Sequence, residues 1–402
     1  AINANANGTS LTINAATTTG GLNGIRTFNG GTGALSITTS GTTTGTAAEG
    51  IYAIMTNAAS TGDLTISAAN TEGGTYGIYA DNRGTGALSI ITTGITTGKG
   101  TSNGNSGIYA LNRANSTGDL TINAATTTGG ITGINAINSG SGALTIETTG
   151  TTTGDNGAGI NAYDDGPGAV SITTTGTTTG GTSGISAINY GGGALSITTT
   201  GITTGDNGAG IDARNWEYYG NTPTSLTINA ATTTGSNAGI FADNDGTGAL
   251  SITTSGTTKG TSSNGIYANN SATGTSLTIN AEATTGTQGI KALNNGTGAL
   301  EITTTGTTTG TSSNGIYANN SATGTSLKIT AEDTTGTLGI YAVNGGTGAL
   351  EITTTGTTIG TSSIGILGYN SVTGTSLKIT AEDTTGTLGI YAVNGGTGAL
   401  EI

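Results

Sequence analysis

The chain reads as an all-β parallel β-helix, or β-solenoid, and three observations lead there. A Leu-x-Ile tripeptide starts at 11, 35, 64, 88, 120, 144, 195, 226, 250, 277, 300, 327, 350, 377 and 400, and Val170-Ser171-Ile172 completes a set of sixteen. Between these lie Thr/Gly stretches such as TTSGTTTG at 38–45, and then a Gly-Ile-x-Ala-x-Asn motif such as GIYADN at 77–82. Nowhere do apolar residues keep the i, i+3, i+4 spacing that a helix of ten residues needs. Period-two alternation, β-branched residues and regular Gly breaks predict three short strands per rung. Rungs of 23–32 residues pair into units of roughly fifty, and a repeat of that period signals a stacked coil. We therefore expect one continuous domain over 1–402, about sixteen rungs, forming a rod roughly 75 Å long at strand spacing.

The first strand is apolar-polar-apolar, as in Leu35-Ser36-Ile37, with Ile third in all sixteen. One rung cannot bury this face alone, but stacking sets Leu on Leu and Ile on Ile. In the last motif, parity sends Ile, Ala and Asn to one side, inward. The expected interior row includes Asn82, Asn112, Asn138, Asn189, Asn244, Asn294, Asn344 and Asn394, with Met55 and Asp164 as the exceptions. A carboxamide carries two donors and an acceptor, so stacked Asn can bond along the coil, a structural role. Near the end, Glu301, Lys328, Glu351, Lys378 and Glu401 alternate in sign at one outward position and predict an ion-pair column.

Composition restricts function more than it reveals it. Leu, Ile, Val and Phe number 68 of 402, about 17%, too few for an ordinary globular core, and Gly numbers 76. The net charge of −13, without any His, offers no basic patch for nucleic acid. Zero Cys removes disulfides, thiolate metal sites and Cys nucleophiles, and it suits export in an unfolded state. No apolar run is long enough to cross a bilayer as a helix. No signal peptide stands at Ala1, and the chain starts and stops inside a repeat, as a piece of a longer protein would. No cofactor is expected. Without His or Cys, acid-base chemistry would fall to carboxylates and Lys, and the nine basic residues are far apart in sequence; an enzyme is not expected. Asp155-Asn156-Gly157 and Asp206-Asn207-Gly208 occupy equivalent loops, but the repeated calcium nonapeptide of β-rolls is absent, so no metal site is expected.

Candidate contacts lie outward. The residue after the motif Ile is Tyr52, Tyr79 and Tyr109 in three consecutive rungs, which would stack their rings; such a row either binds a partner or simply stiffens the sheet. The longest insertion, WEYYGNTPTS at 216–225, gathers Trp216, Tyr218 and Tyr219, and loops on rigid scaffolds commonly carry recognition.

Runs of the type GTGALSITT followed by GTTTG, together with GIYAxN, resemble the passenger regions of bacterial autotransporter adhesins rich in Gly, Thr and Asn. The resemblance covers almost the whole chain. It implies a right-handed parallel β-helix displayed on the bacterial outer surface by a C-terminal β-barrel. It implies attachment as an adhesin or stalk, with a host or neighbouring-cell glycan or protein as partner. No binding residue of the family carries over by position. The alternative is a structural subunit of a filament or surface layer built by self-association. A third reading takes outward Thr triplets such as Thr151-Thr152-Thr153 and Thr177-Thr178-Thr179 as an ice-binding array. None of these readings inserts the segment into a membrane.

Overall fold

The computed structural model describes every residue except Ala1, Asn103 and Tyr219. All regular elements among the described residues are β-strands. The chain forms two compact units, residues 1–201 with 218–221, and residues 202–217 with 222–402. Each unit is a parallel β-solenoid.

In the first unit the Gly-Ile-x-Ala-x-Asn strands run from Ile25–Asn29 through Ile51–Met55, Ile78–Asn82, Ser106–Asn112, Thr132–Asn138 and Ile160–Asp164 to Ile185–Asn189. Each is parallel to the next and in register, so Ile78 pairs with Ile108 and then Ile134, and Ala80 with Ala110 and then Ala136. A further strand, Ile2–Ala6, pairs residue for residue with Ile25–Asn29. The sequence hides it because Ala6 stands where the motif has Asn.

The Leu-x-Ile strands form a second sheet, with Leu64 on Leu88 on Leu120 and Ile66 on Ile90 on Ile122. Thr-Thr-Gly strands such as Thr152–Gly154 and Thr178–Gly180 form the third side. In four rungs of the first unit the first two strands merge, giving Leu35–Gly45, Leu64–Gly73, Leu88–Gly98 and Leu120–Gly129. These are alternately eleven and ten residues long, and the odd residue is absorbed by register shifts, as between Thr39 and Thr42. The merged strands depart from three separate strands per rung.

The second unit repeats the scheme. Leu250 pairs with Leu277 and then Leu300, Ile266 with Ile290 and then Ile316, and Thr258 with Thr284 and then Thr308.

The interior is a set of columns. Leu64, Ile66, Ile78, Ala80 and Asn82 are fully buried, and so are Leu277, Ile279, Ile290, Ala292 and Asn294. The Asn column is bonded amide to amide. Asn82 Nδ2 donates to Asn112 Oδ1 at 2.9 Å, Asn112 to Asn138 at 3.0 Å, and Asn138 to Asp164 Oδ1 at 2.6 Å. In the second unit the chain of bonds runs unbroken through Asn215, Asn244, Asn270, Asn294, Asn320, Asn344, Asn370 and Asn394 at 2.8–2.9 Å. The second Nδ2 hydrogen commonly goes to a carbonyl of the same turn: Asn82 to Gly86 O at 2.7 Å, Asn189 to Gly193 O at 2.9 Å. Gly84 N–H in turn donates to Asn82 Oδ1 at 3.1 Å, so the amide closes its own corner while binding the next.

Among the described glycines only Gly104 and Gly220 have φ in the left-handed region. The motif Gly has a different purpose. A Cβ on Gly107 would lie 2.5 Å from Thr127 Cγ2 and 2.8 Å from Gly133 O, so this corner closes only without a side chain. That Thr belongs to a second interior column, Thr71, Thr96, Thr127, Thr152 and Thr178, whose hydroxyls are buried and have no partner. The expectation of outward Thr triplets is corrected here, because Thr152 and Thr178 point inward. Parity allows only alternate residues to face out, and the outward column of the second unit also holds Lys259 and Ile359 between its threonines.

Candidate contact surface

The outer face of the motif sheet in the first unit carries two adjacent columns. The third motif residue supplies Arg26, Tyr52, Tyr79 and Tyr109, and the fifth supplies Phe28, Ile54, Asp81 and Leu111. In-register stacking brings like residues ring to ring. Tyr52 and Tyr79 stack at 5.0 Å and 17°, and Tyr79 and Tyr109 at 5.1 Å and 4°. Phe28 sets its edge against Tyr52 at 5.7 Å, with the Arg26 guanidinium 4.4 Å from the Phe28 ring centre. Tyr76, from the preceding turn, packs edge-on against Tyr79 and Tyr109 at 5.5 and 5.6 Å. The inner ring faces are therefore spent on one another, and the cluster shows solvent mainly edges and hydroxyls. Burial, then the Asp81 carboxylate and the neighbouring Tyr109 and Tyr52 rings, push the Tyr79 hydroxyl up to about 12, with Arg113 opposing. It stays a neutral donor at any physiological pH.

Asp81 is the unexpected residue of this face. It points outward, yet its side chain is 0% exposed, because Arg83 and Arg113 close over it. Arg83 Nε donates to Oδ2 at 2.9 Å; Arg113 donates from Nε to Oδ1 at 2.9 Å and from Nη2 to Oδ2 at 3.1 Å. The hydrogen bond to Asp81 raises the Arg113 pKa further. Both arginines directly follow the motif Asn, in DNR at 81–83 and LNR at 111–113. That shared position is the sequence signal for the pair, and linear distance conceals it.

The turns explain what lies beside the clamp. Most turns after the motif Asn in this unit have five residues, such as 30–34 and 139–143. The turns at 56–63 and 113–119 have eight and seven, and they flank the five-residue turn 83–87. Two long turns over a short one leave a cleft of about 460 Å³ lined by Thr56, Ala58, Arg83, Arg113, Ala114 and Asn115.

Trp216 belongs to the second unit. Its indole Nε1 donates to Asp243 Oδ2 at 2.8 Å, and Asp243 Oδ1 accepts from Asn269 Nδ2 at 2.8 Å. Arg214, paired with Asp212 at 2.7 Å, lies 4.9 Å from the Trp216 ring and 5.1 Å from Phe241. Phe241 stacks on Tyr267 at 4.9 Å and 7°, and Lys291 lies 5.3 Å from Tyr267. Half-buried, Trp216 anchors its loop to this face. Glu217 and Asp245 line a cleft of about 230 Å³ with Ser271, Ala272 and Thr273; burial, then Asp243 and Glu217, raise the Asp245 pKa.

Tyr218 belongs to the first unit, where it is 46% exposed and its ring lies 5.0 Å from Tyr190, itself 5.5 Å from Tyr163. Tyr219 lies outside the described residues. The charge column on the first strands is partial, with Lys328 3.8 Å from Glu301 and Lys378 3.9 Å from Glu401.

Compared with protein-family models, with curated proteins and with solved structures, the chain matches none.

Proposed function

We propose that the chain is an extracellular, surface-displayed β-helical stalk that carries adhesive contacts on its outer faces. One contrast carries this reading. Interior columns are nearly uniform from turn to turn, whereas irregular residues and uneven turns gather on the outside, at Tyr52 to Tyr109 with Arg83 and Arg113 and again at Trp216 with Phe241. A repetitive scaffold that varies only where it meets solvent is suited to display. Export fits a chain without Cys and with contacts mostly between successive coils, which can fold as they emerge. Many weak contacts on one scaffold would add through effective concentration.

The test is binding of the whole chain to an array of glycans and a panel of extracellular-matrix proteins, beside a variant with Trp216, Tyr218 and Tyr219 changed to Ala. Saturable binding by the unaltered chain is expected, and its loss in the variant assigns the contact to the 216–219 insertion. Binding of nothing on either panel overturns the adhesive half of the reading.

A further inference from the structure

We propose that the cleft between the turns at 56–63 and 113–119 binds the carboxylate of an acidic oligosaccharide, with Arg83 and Arg113 as the recognition pair. The proposal deepens the adhesive reading and rests on it for the saccharide source.

The two guanidinium groups are already ordered. Asp81, fully buried between them, takes Nε of each and one Nη2 donor of Arg113. The remaining guanidinium N–H groups have no acceptor among the described residues, and both arginines line the cleft. A guanidinium fixed through one edge presents its other edge with little further loss of side-chain freedom, and that edge matches a carboxylate in two parallel hydrogen bonds. Two positive charges against one negative leave the site cationic within a chain of net charge −13, and no lining residue is acidic.

Size and lining favour a sugar over a bare ion. A cleft of about 460 Å³ exceeds what an inorganic oxyanion fills and falls within the range of small-molecule sites. Asn115 offers its amide to sugar hydroxyls and Thr56, whose hydroxyl donates to Asn29 O at 3.2 Å, can accept from them, while the Ala58 and Ala114 methyls can meet sugar C–H groups. Stacking on the Tyr column is not the mode, because those rings cover each other. The second unit holds a built-in contrast: its five-residue turn 245–249 also lies between longer ones, but the cleft there carries Glu217 and Asp245 and should reject the same ligand.

The experiment is calorimetric titration of the whole chain with digalacturonate, with neutral digalactose and with inorganic sulfate, at low salt. Saturable binding of digalacturonate alone is expected, weakened about tenfold or more by Arg83→Gln or Arg113→Gln and by raised salt. Those variants also expose Asp81, so Ala58→Trp and Ala114→Trp, which fill the cleft and leave the clamp intact, are titrated beside them and should abolish binding. No binding of digalacturonate, or binding that survives all four substitutions, overturns the proposal. Equal binding of sulfate reduces the site to a plain oxyanion site and overturns the saccharide part. If digalacturonate fails while the chain still binds array glycans, this cleft is wrong and the adhesive reading stands; if both fail, both fall.

Discussion

Asn112 accepts from Asn82, donates to Asn138 and closes its own turn through Gly118 O at 3.0 Å, all without solvent. Replacing it with Ala orphans a donor above and an acceptor below, so Asn112→Ala should cost about 2–4 kcal/mol. Asn394, only half-buried, should cost clearly less on the same change, and chemical denaturation of the two variants compares them. Asp164 is the weak point of the first unit's column. Burial, partly offset by the Asn138 hydrogen bond and reinforced by Asp165, pushes its carboxyl up to about 8, and its Oδ2 has no partner. An acid whose pKa is higher folded than unfolded binds more protons when folded, so its contribution to stability falls as pH rises from about 4 towards 8. Asp164→Asn supplies the missing donor. It should raise the melting temperature at pH 7.5, leave it nearly unchanged at pH 4, and flatten the slope between. The opposite lesson comes from the Thr column. Thr127 buries a hydroxyl with no partner, and Thr127→Val should remove a penalty of about 1 kcal/mol, seen as a higher melting temperature.

At the scale of the element, each strand is held by the identity of its neighbours more than by its own propensity. At corners such as those of Gly77, Gly107, Gly239 and Gly265 the turn into the motif strand closes because Gly brings backbone against a Thr methyl and a neighbouring backbone atom. Gly107→Ala should therefore destabilise by about 1–3 kcal/mol through overpacking, measured by denaturant midpoint. Ion pairs matter far less. Lys328 and Glu301 are about half exposed at 3.8 Å, and removing the pair should change stability by no more than a few tenths of a kcal/mol. The aromatic columns lie between these extremes. They stiffen the outer face through stacked rings, and the cleft beside them is lined without any Tyr, so the Tyr column reads as structure beside a site rather than as the site.

For the molecule as a whole, each unit gains its stability turn by turn, through contacts between coils 23–32 residues apart. Such a solid behaves as a chain of nearest-neighbour interfaces, and opening should be local. Hydrogen exchange should find the amides of Ile108–Asn112 protected orders of magnitude more than those of the turn at 56–63. The same economy leaves the outer surface free to vary: the turns 83–87 and 113–119 differ by two residues, yet Asn82 and Asn112 each close their own turn through a glycine carbonyl, Gly86 O and Gly118 O.

The sequence by itself determined the fold class, because period-two alternation with Leu, Ile and Asn at fixed places can be satisfied only by stacking like on like. It also placed Ile, Ala and Asn of the motif on one side through parity alone. Tertiary structure decided what periodicity cannot express. Arg83 meets Asp81 two residues away within one turn, but Arg113 stands thirty residues from Arg83 in the chain and one coil away in space, and only stacking brings it onto Asp81. Ile2–Ala6 joins the motif sheet through register although its last residue breaks the pattern. Trp216 is tied to Asp243 on the outer face by a hydrogen bond across one coil. In a solenoid the repeat fixes the interior through short-range identity, whereas sites depend on contacts between neighbouring coils, and those exist only once the coils are laid against one another.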